Sequence, residues 1–184
     1  MKTAAFILSL FPILLVSVAY PDDFRPPRWG IKPREVRLIQ ELKGRSDPVE
    51  ELSSPEKLCF RGDVSGRDAL IFFDFHNGGL YGVRIFFLLP EDTPRGLLDS
   101  DYDRLKRILN REHGPPAADH PLEAVEGNDA SVIGHFSAWY GSRSKVYLVT
   151  YCERGKVRLL LGYTDRDHLP ESSEELVDLY SVID

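Results

Sequence analysis

Residues 68–88, which read DALIFFDFHNGGLYGVRIFFL, decide the fold class of this chain. Two apolar runs, Asp68 to Phe75 and Leu80 to Leu88, flank the turn His-Asn-Gly-Gly, and Asn-Gly is the strongest short signal for a β-hairpin because both residues tolerate positive φ. Apolar side chains alternate onto both faces of the second run. The pattern therefore predicts a hairpin inside a sheet whose second face is at least partly covered.

Outward from this hairpin, short apolar runs bounded by turns predict four further strands, over residues 57–64, 131–140, 145–152 and 156–163. Apolar spacing of three and four residues, with capping and stop signals, predicts helices over residues 33–43, 100–113 and 173–180. The stretches 45–55 and 115–130 are polar and read as loops. We predict an α+β domain in the order helix-βββ-helix-βββ-helix: an antiparallel sheet of about six strands in two three-strand meanders, with helices packed on one face.

The first nineteen residues have the layout of a cleavable secretory signal. A basic start precedes an apolar run from Ala4 to Ala19, which is shorter than the roughly 20 residues that span a bilayer, and Ser17-Val18-Ala19 offers small residues for cleavage. We predict cleavage near Ala19-Tyr20 and export to the periplasm or the medium, with no stable membrane insertion afterwards. Residues 20–28 are predicted as an extended arm and residues 29–184 as one domain.

The overall composition is that of a globular protein with an acidic balance. The chain has 184 residues, of which 42% are hydrophobic and 28% charged, and its formal net charge is -6. Nucleic-acid binding requires a clustered excess of Lys and Arg. We therefore predict no nucleic-acid partner.

The chain has two cysteines, Cys59 and Cys152, both beyond the predicted signal. An exported protein can join them in a disulfide, whereas buried free thiols are the alternative, because Cys is among the most buried residue types. The sequence leaves both states open.

No established catalytic, nucleotide-binding or redox motif occurs in the sequence, and no cofactor or metal site is predicted. Asp74 and His76 are two residues apart and could share a strand face, and His135 is a further titratable group. A small hydrolase or metal-dependent enzyme that uses these three residues is the alternative to a non-enzymatic role.

Aromatic residues concentrate on the predicted strands, and a sheet with helices on one face leaves its other face for binding. On the strand 131–140 we expect Phe136 and Ala138 to face the helices, because their set is the more uniformly apolar. His135 and Trp139 then lie on the far face, where the neighbouring strand adds two more aromatic rings. We predict a partner-binding patch with the members His135, Trp139, Tyr147 and Tyr151.

Three short stretches carry a resemblance to a known fold family. Residues 28–36, RWGIKPREV, place a Trp-Gly turn before a short helix; HGP at 113–115 closes the second helix; and strands containing Trp139 and Tyr151 follow. Over most of residues 28–163 this layout resembles the β-lactamase-inhibitor-protein-like fold, which is shared with the small lipoprotein of the outer-membrane assembly machine. The resemblance implies binding or scaffolding rather than catalysis.

We therefore expect a non-enzymatic exported protein that binds another envelope protein through its sheet face. A carrier that holds a small apolar ligand on the same face is a third class. The Trp-Gly turn also predicts a structural role for Trp29, as a plug at one end of the core.

Overall fold

The computed structural model describes residues 28–43, 46–90, 93–122, 134–153 and 156–168. These ranges contain two α-helices, eight β-strands and two single-turn 3-10 helices, the latter at Glu50–Leu52 and Arg166–His168. In chain order the main elements are α1 (Pro33–Lys43), β1 (Ser46–Pro48), β2 (Lys57–Val64), β3 (Arg67–His76), β4 (Gly79–Phe87), α2 (Arg95–His113), β5 (Ala118–Leu122), β6 (Gly134–Tyr140), β7 (Ser144–Glu153) and β8 (Lys156–Asp165).

All eight strands belong to one antiparallel sheet in the order β1-β2-β3-β4-β8-β7-β6-β5. The sheet therefore consists of two four-strand meanders that meet where β4 pairs with β8, over the residue pairs from Gly82↔Thr164 to Phe86↔Leu160. One helix precedes each meander, so the element order α-ββββ occurs twice.

The predicted six strands and three helices are wrong, although the α+β content and the antiparallel sheet are confirmed. The missed strands, β1 and β5, are the two edges of the sheet and lie in the stretches predicted as loops. They are short and polar and contain Pro48 and Pro121, whereas strand prediction depends on apolar alternation. Proline is tolerated at a sheet edge because the outward N–H there has no ladder partner to lose. The third predicted helix, 173–180, lies outside the described residues.

The helices of the described ranges pack on the same face of the sheet, which we name the first face. Val36 of α1 and Leu105 and Leu109 of α2 are buried in its apolar core. The strand residues of this core are Leu58, Phe60, Val64, Ala69, Phe73, Phe75, Leu80, Val83, Ile85, Phe87, Trp139, Val146, Leu148, Leu159, Leu161 and Tyr163. The opposite surface of the sheet is named the second face.

The turn before α1 is fixed to the sheet. Gly30, at φ +82°, donates its N–H to the Leu80 carbonyl (2.8 Å), and the Leu80 N–H donates to the Ile31 carbonyl (2.9 Å). The half-buried Trp29 donates its indole N–H to Ser144 Oγ at 2.9 Å and packs against the first-face core. These contacts support the predicted structural role of Trp29.

Candidate functional site

The four residues predicted to form one binding patch lie on opposite faces of the sheet. Trp139 is 1% exposed on the first face, where its indole N–H contacts the Gly114 carbonyl at the end of α2 (3.0 Å). The exposed His135 lies on the same face, with its ring 5.5 Å from that of Tyr102 in α2. Tyr147 lies on the second face. The prediction of a single patch is therefore wrong.

The pairing of β6 with β7 explains this difference. Residues directly opposite each other in an antiparallel pair place their side chains on the same face. Ala138 pairs with Tyr147 and Phe136 with Val149, so the second face receives Phe136 and Ala138 rather than Trp139. Each set of alternating residues contains a large aromatic side chain that is buried, Phe136 in one and Trp139 in the other, so apolarity alone does not select the face.

The second face carries two rows of residues that are opposite each other across seven strands, from β2 to β5 in sheet order. The first row is Cys59, Phe72, Arg84, Gly162, Tyr147, Ala138 and Ala118. The second row is Arg61, Leu70, Phe86, Leu160, Val149, Phe136 and His120. Together they form a predominantly apolar band, which we name the apolar stripe; its second row ends in Arg61 and His120, and Arg84 is the charged residue within it.

The two halves of the apolar stripe differ in exposure. Over β6, β7 and β8 the large side chains are buried: Phe136, Tyr147, Val149 and Leu160 form one compact cluster with Tyr151, which lies beside the stripe, and Tyr151 and Leu160 are each 2% exposed. Over β3 and β4, Leu70, Phe72 and Phe86 are only half-buried. The accessible apolar surface of the second face therefore lies over β3 and β4.

This accessible part is the candidate binding site, and we name it the aromatic patch. Its members are Lys57, Arg61, Leu70, Phe72, Arg84 and Phe86. The rings of Phe72 and Phe86 meet edge to face, with centroids 5.5 Å apart. Lys57 Nζ lies 5.6 Å and Arg84 Cζ 5.7 Å from the Phe72 centroid, which is the range of cation–π attraction.

A bidentate ion pair anchors one side of the aromatic patch. Arg84 Nε and Nη2 donate to the two carboxylate oxygens of Asp74 at 2.8 and 2.7 Å, and both side chains are largely buried. Burial is the largest single influence on Arg84 and opposes its charge, but the hydrogen bonds and the charge attraction from Asp74, together with Tyr147 and Tyr81, outweigh it, so the pKa of Arg84 is raised above its ordinary value. The Arg84 guanidinium therefore stays charged, and its two hydrogen bonds to Asp74 fix it beside Phe72.

Glycine at 162 allows an aromatic ring to cross the middle of the sheet. Gly162 pairs with Arg84 on one side and with Tyr147 on the other. A Cβ at this position would overlap the Tyr147 ring, so the ring lies across β8 where a side chain would otherwise stand. Tyr147 is close enough to Arg84 to contribute to its raised pKa.

The residues of the enzyme alternative do not converge. Both carboxylate oxygens of Asp74 accept hydrogen bonds from Arg84, and His76 is exposed at the end of β3 with its ring 6.3 Å from that of Tyr81. His135 is on the other face of the sheet, on β6. Across the described ranges, no three or more His, Cys, Asp or Glu side chains gather as a metal ion would require.

A hydrogen-bonded network on the first face was not predicted from the sequence. Ser137 Oγ donates to Asp119 at 2.8 Å and accepts from the Tyr102 hydroxyl at 2.7 Å, and Lys106 Nζ donates to Asp119 at 2.7 Å. Hydrogen bonds from Lys106 hold the pKa of Asp119 below its usual value, and burial raises the pKa of Tyr102 to about 12. Ser137 is fully buried and no substrate can reach it, so the network ties α2 to β5 and β6. Asp119 lay in a stretch that the sequence predicts as a loop, so no signal indicated the contact.

The two cysteines are far apart in this fold. Cys59 lies on β2 and Cys152 on β7, and three strands separate these two, which is about 19 Å at the usual strand spacing. A disulfide needs Cα atoms within about 7 Å. Cys59 is a buried free thiol, and burial raises its pKa to about 11. An intramolecular bridge between the two is therefore excluded.

Comparison with known proteins finds no protein-family model, no curated protein and no solved structure that matches this chain. The resemblance to the β-lactamase-inhibitor-protein-like fold therefore stays a prediction. Within the described part of the chain, neither helix is long and apolar enough to cross a membrane.

Proposed function

We propose that this chain is a non-enzymatic exported protein that binds another envelope protein through the aromatic patch. The observation that carries the proposal is the half-buried Phe72, which has an aromatic edge on one side and two cations near its ring. Aromatic rings and Arg dominate the energetics of protein interfaces, because they bury a large area while offering directional polar contacts.

The chemistry of the aromatic patch indicates the kind of partner. Leu70, Phe72 and Phe86 supply an apolar centre, and two cations lie toward its β2 margin: Lys57, and Arg61, which is exposed and forms a surface ion pair with Asp68 at 2.9 Å. This arrangement suits a partner surface with apolar side chains at its centre and carboxylates at its rim.

Binding through a face rather than an edge is supported by the two outermost strands. Pro48 in β1 and Pro121 in β5 interrupt the donors that an added strand would need. Addition of a partner strand to this sheet is therefore disfavoured at both edges.

The experiment compares capture of envelope proteins by the immobilised chain and two variants. Phe72→Ser removes the ring between the two cations, and Leu42→Ser, on the outer side of α1 where Leu42 is 79% exposed, is the matched control. We expect one protein to be retained by the unmodified chain and by Leu42→Ser, with at least tenfold weaker binding to Phe72→Ser. Equal binding to all three, in purified form, would reject the aromatic patch as the contact surface.

Export is tested separately. Expression of the full chain with a C-terminal tag should give a product that starts at Tyr20 and is recovered outside the cytoplasm. A product that keeps residues 1–19 and stays in the cytoplasm would contradict this part of the proposal and leave the test of the aromatic patch unaffected.

A further inference from the structure

The second face of β2, β3 and β4 is a grid of twelve residues, four on each strand. The strand pairing places one residue of each strand in each of four rows, and the Leu88 N–H, which donates to the Asp68 carbonyl at 2.8 Å, extends the last row. From one end of the strands to the other, the rows are Lys57-Asp74-Gly82, Cys59-Phe72-Arg84, Arg61-Leu70-Phe86 and Asp63-Asp68-Leu88. The two middle rows contain every member of the aromatic patch except Lys57.

The charges of this grid are balanced, but one cation and one carboxylate are left at its ends. Two of the three cations already form ion pairs with two of the three carboxylates, Arg84 with Asp74 (2.7 Å) and Arg61 with Asp68 (2.9 Å). The other two charges are Lys57, which lies near the Phe72 ring, and Asp63, which accepts a hydrogen bond from the Gly66 N–H. Neither forms an ion pair within the described residues. They lie at opposite ends of β2, about 20 Å apart along the strand.

We propose that a second copy of this chain docks on the grid, face to face, about a two-fold axis that crosses the strands between the two middle rows. This rotation places each strand over its own copy in the reverse direction, so the first row meets the fourth and the second meets the third. Lys57 of each copy then faces Asp63 of the other, which gives two ion pairs in one dimer. Sheets packed face to face keep their strands within about 30° of alignment, so the arrangement is a common one.

The same rotation also matches the apolar side chains of the grid. Phe72 of each copy lies over Leu70 of the other, at the centre of the contact. Leu88, which is 38% exposed, lies over Gly82 of the other copy, where no side chain fills the space. An exposed leucine at one end of the grid therefore meets a gap at the other end.

A two-fold axis parallel to the strands would not give this match. It would keep the order of the rows and place β2 over β4, so that Lys57 would face Gly82 and Asp63 would face Leu88. Both charges would lose water without gaining a partner, which is unfavourable. The positions of the two charges therefore select the axis that crosses the strands.

The dimer is expected to be weak and reversible. It uses twelve residues of each copy, whereas a stable interface has about 20–30 residues a side. The grid also contains the aromatic patch, so a second copy and an envelope protein would compete for one surface. Self-association is nevertheless a property of this chain alone and does not depend on the proposed function.

Sedimentation equilibrium of the purified chain tests the pairing by charge reversal. The unmodified chain should dimerise, and Lys57→Glu and Asp63→Lys should each weaken the dimer at least tenfold, because each reversal sets like charges opposite each other twice. An equimolar mixture of the two variants should recover the association as a heterodimer, in which both contacts join opposite charges. Lys43→Glu, in the last turn of α1, changes the net charge as Lys57→Glu does and should dimerise like the unmodified chain. A chain that stays monomeric at millimolar concentration, single variants that dimerise normally, or a mixture that associates no better than its components would overturn the proposal.

A crosslinking measurement decides the matter if a charge variant unfolds. With the photoreactive residue benzoylphenylalanine at position 88, illumination of an equimolar mixture of unlabelled and isotopically labelled chain should join the two forms through a peptide that contains Gly82. The same residue at position 97 of α2, where Leu97 is 46% exposed, is the matched control and should give no such product. Crosslinks between copies that do not involve β4, or no crosslink between copies, would overturn the proposal. These measurements use no other protein, so their failure is distinct from a failure to capture an envelope partner.

Discussion

Two buried tyrosines of the first face should respond in opposite directions to loss of their hydroxyl groups. Tyr102 and Tyr163 are 3% and 2% exposed, so Tyr→Phe leaves the buried ring area nearly unchanged in both. The Tyr102 hydroxyl donates to Ser137 Oγ at 2.7 Å, whereas the Tyr163 hydroxyl is buried and has no hydrogen-bond partner among the described residues. The two substitutions therefore differ mainly in whether they remove a bond or an unsatisfied group.

The magnitudes follow from general hydrogen-bond energetics. A made hydrogen bond contributes about 1 kcal/mol net, and an unsatisfied buried polar group costs about 1–3 kcal/mol. We expect Tyr102→Phe to lower the free energy of unfolding by about 1 kcal/mol. We expect Tyr163→Phe to raise it by about 1 kcal/mol, so the two variants should melt roughly 4–8 °C apart.

Urea unfolding followed by circular dichroism tests this pair. The slope of the free energy against urea should be the same in both variants, so that the midpoints report stability alone. A loss of stability in Tyr163→Phe as large as in Tyr102→Phe would refute the reasoning, because it would mean that the Tyr163 hydroxyl is satisfied.

Three further predictions concern the second face. Gly162→Ala should lower the unfolding free energy by about 3 kcal/mol or more because its Cβ overlaps the Tyr147 ring, and Tyr147→Ala should relieve much of that loss in a double-mutant cycle. Asp74→Ala should cost about 3 kcal/mol by leaving a buried guanidinium, whereas adding Arg84→Met to it should restore part of the stability in urea unfolding. Cys59 should stay protonated in the folded chain while the unfolded thiol ionises, so stability should fall as the pH rises from about 9 towards 11; Cys59→Ala should reduce this fall, and an unchanged profile would contradict the raised pKa.

The elements that were predicted best have strong local signals. The bounds of β2, Lys57–Val64, agree with the sequence, and the end of α2 at His113 follows from the Gly114 that caps it. The start of α2 lies at Arg95 rather than Ser100, because Pro94 already occupies the N-cap position. The edge strands β1 and β5 have no apolar alternation in their sequences that would predict a strand. They form because each pairs with the neighbouring strand, β2 or β6.

The candidate site was harder to predict because one β-bulge determines the sheet face on which Arg84 lies. Continued from the turn, the hairpin register would pair Arg84 with Ile71 on the first face. The shift between Asp74 and Phe75 instead pairs Arg84 with Phe72 and Asp74 with Gly82, which brings the guanidinium to the second face beside its carboxylate. No sequence pattern in the hairpin predicts this bulge. The position of Arg84 in the aromatic patch could therefore not be predicted from the sequence.

The junction between β4 and β8 has a consequence for how the chain acquires its fold. Its five residue pairs, from Gly82↔Thr164 to Phe86↔Leu160, join positions 74 to 82 residues apart in the sequence. Such distant pairings form slowly because a long loop must close before they contribute. Until β8 is available, the first meander ends in an apolar strand with an open ladder, which is the usual route to misassociation. The domain therefore cannot be completed from its N-terminal half, and most of the polypeptide has to be present before its sheet closes.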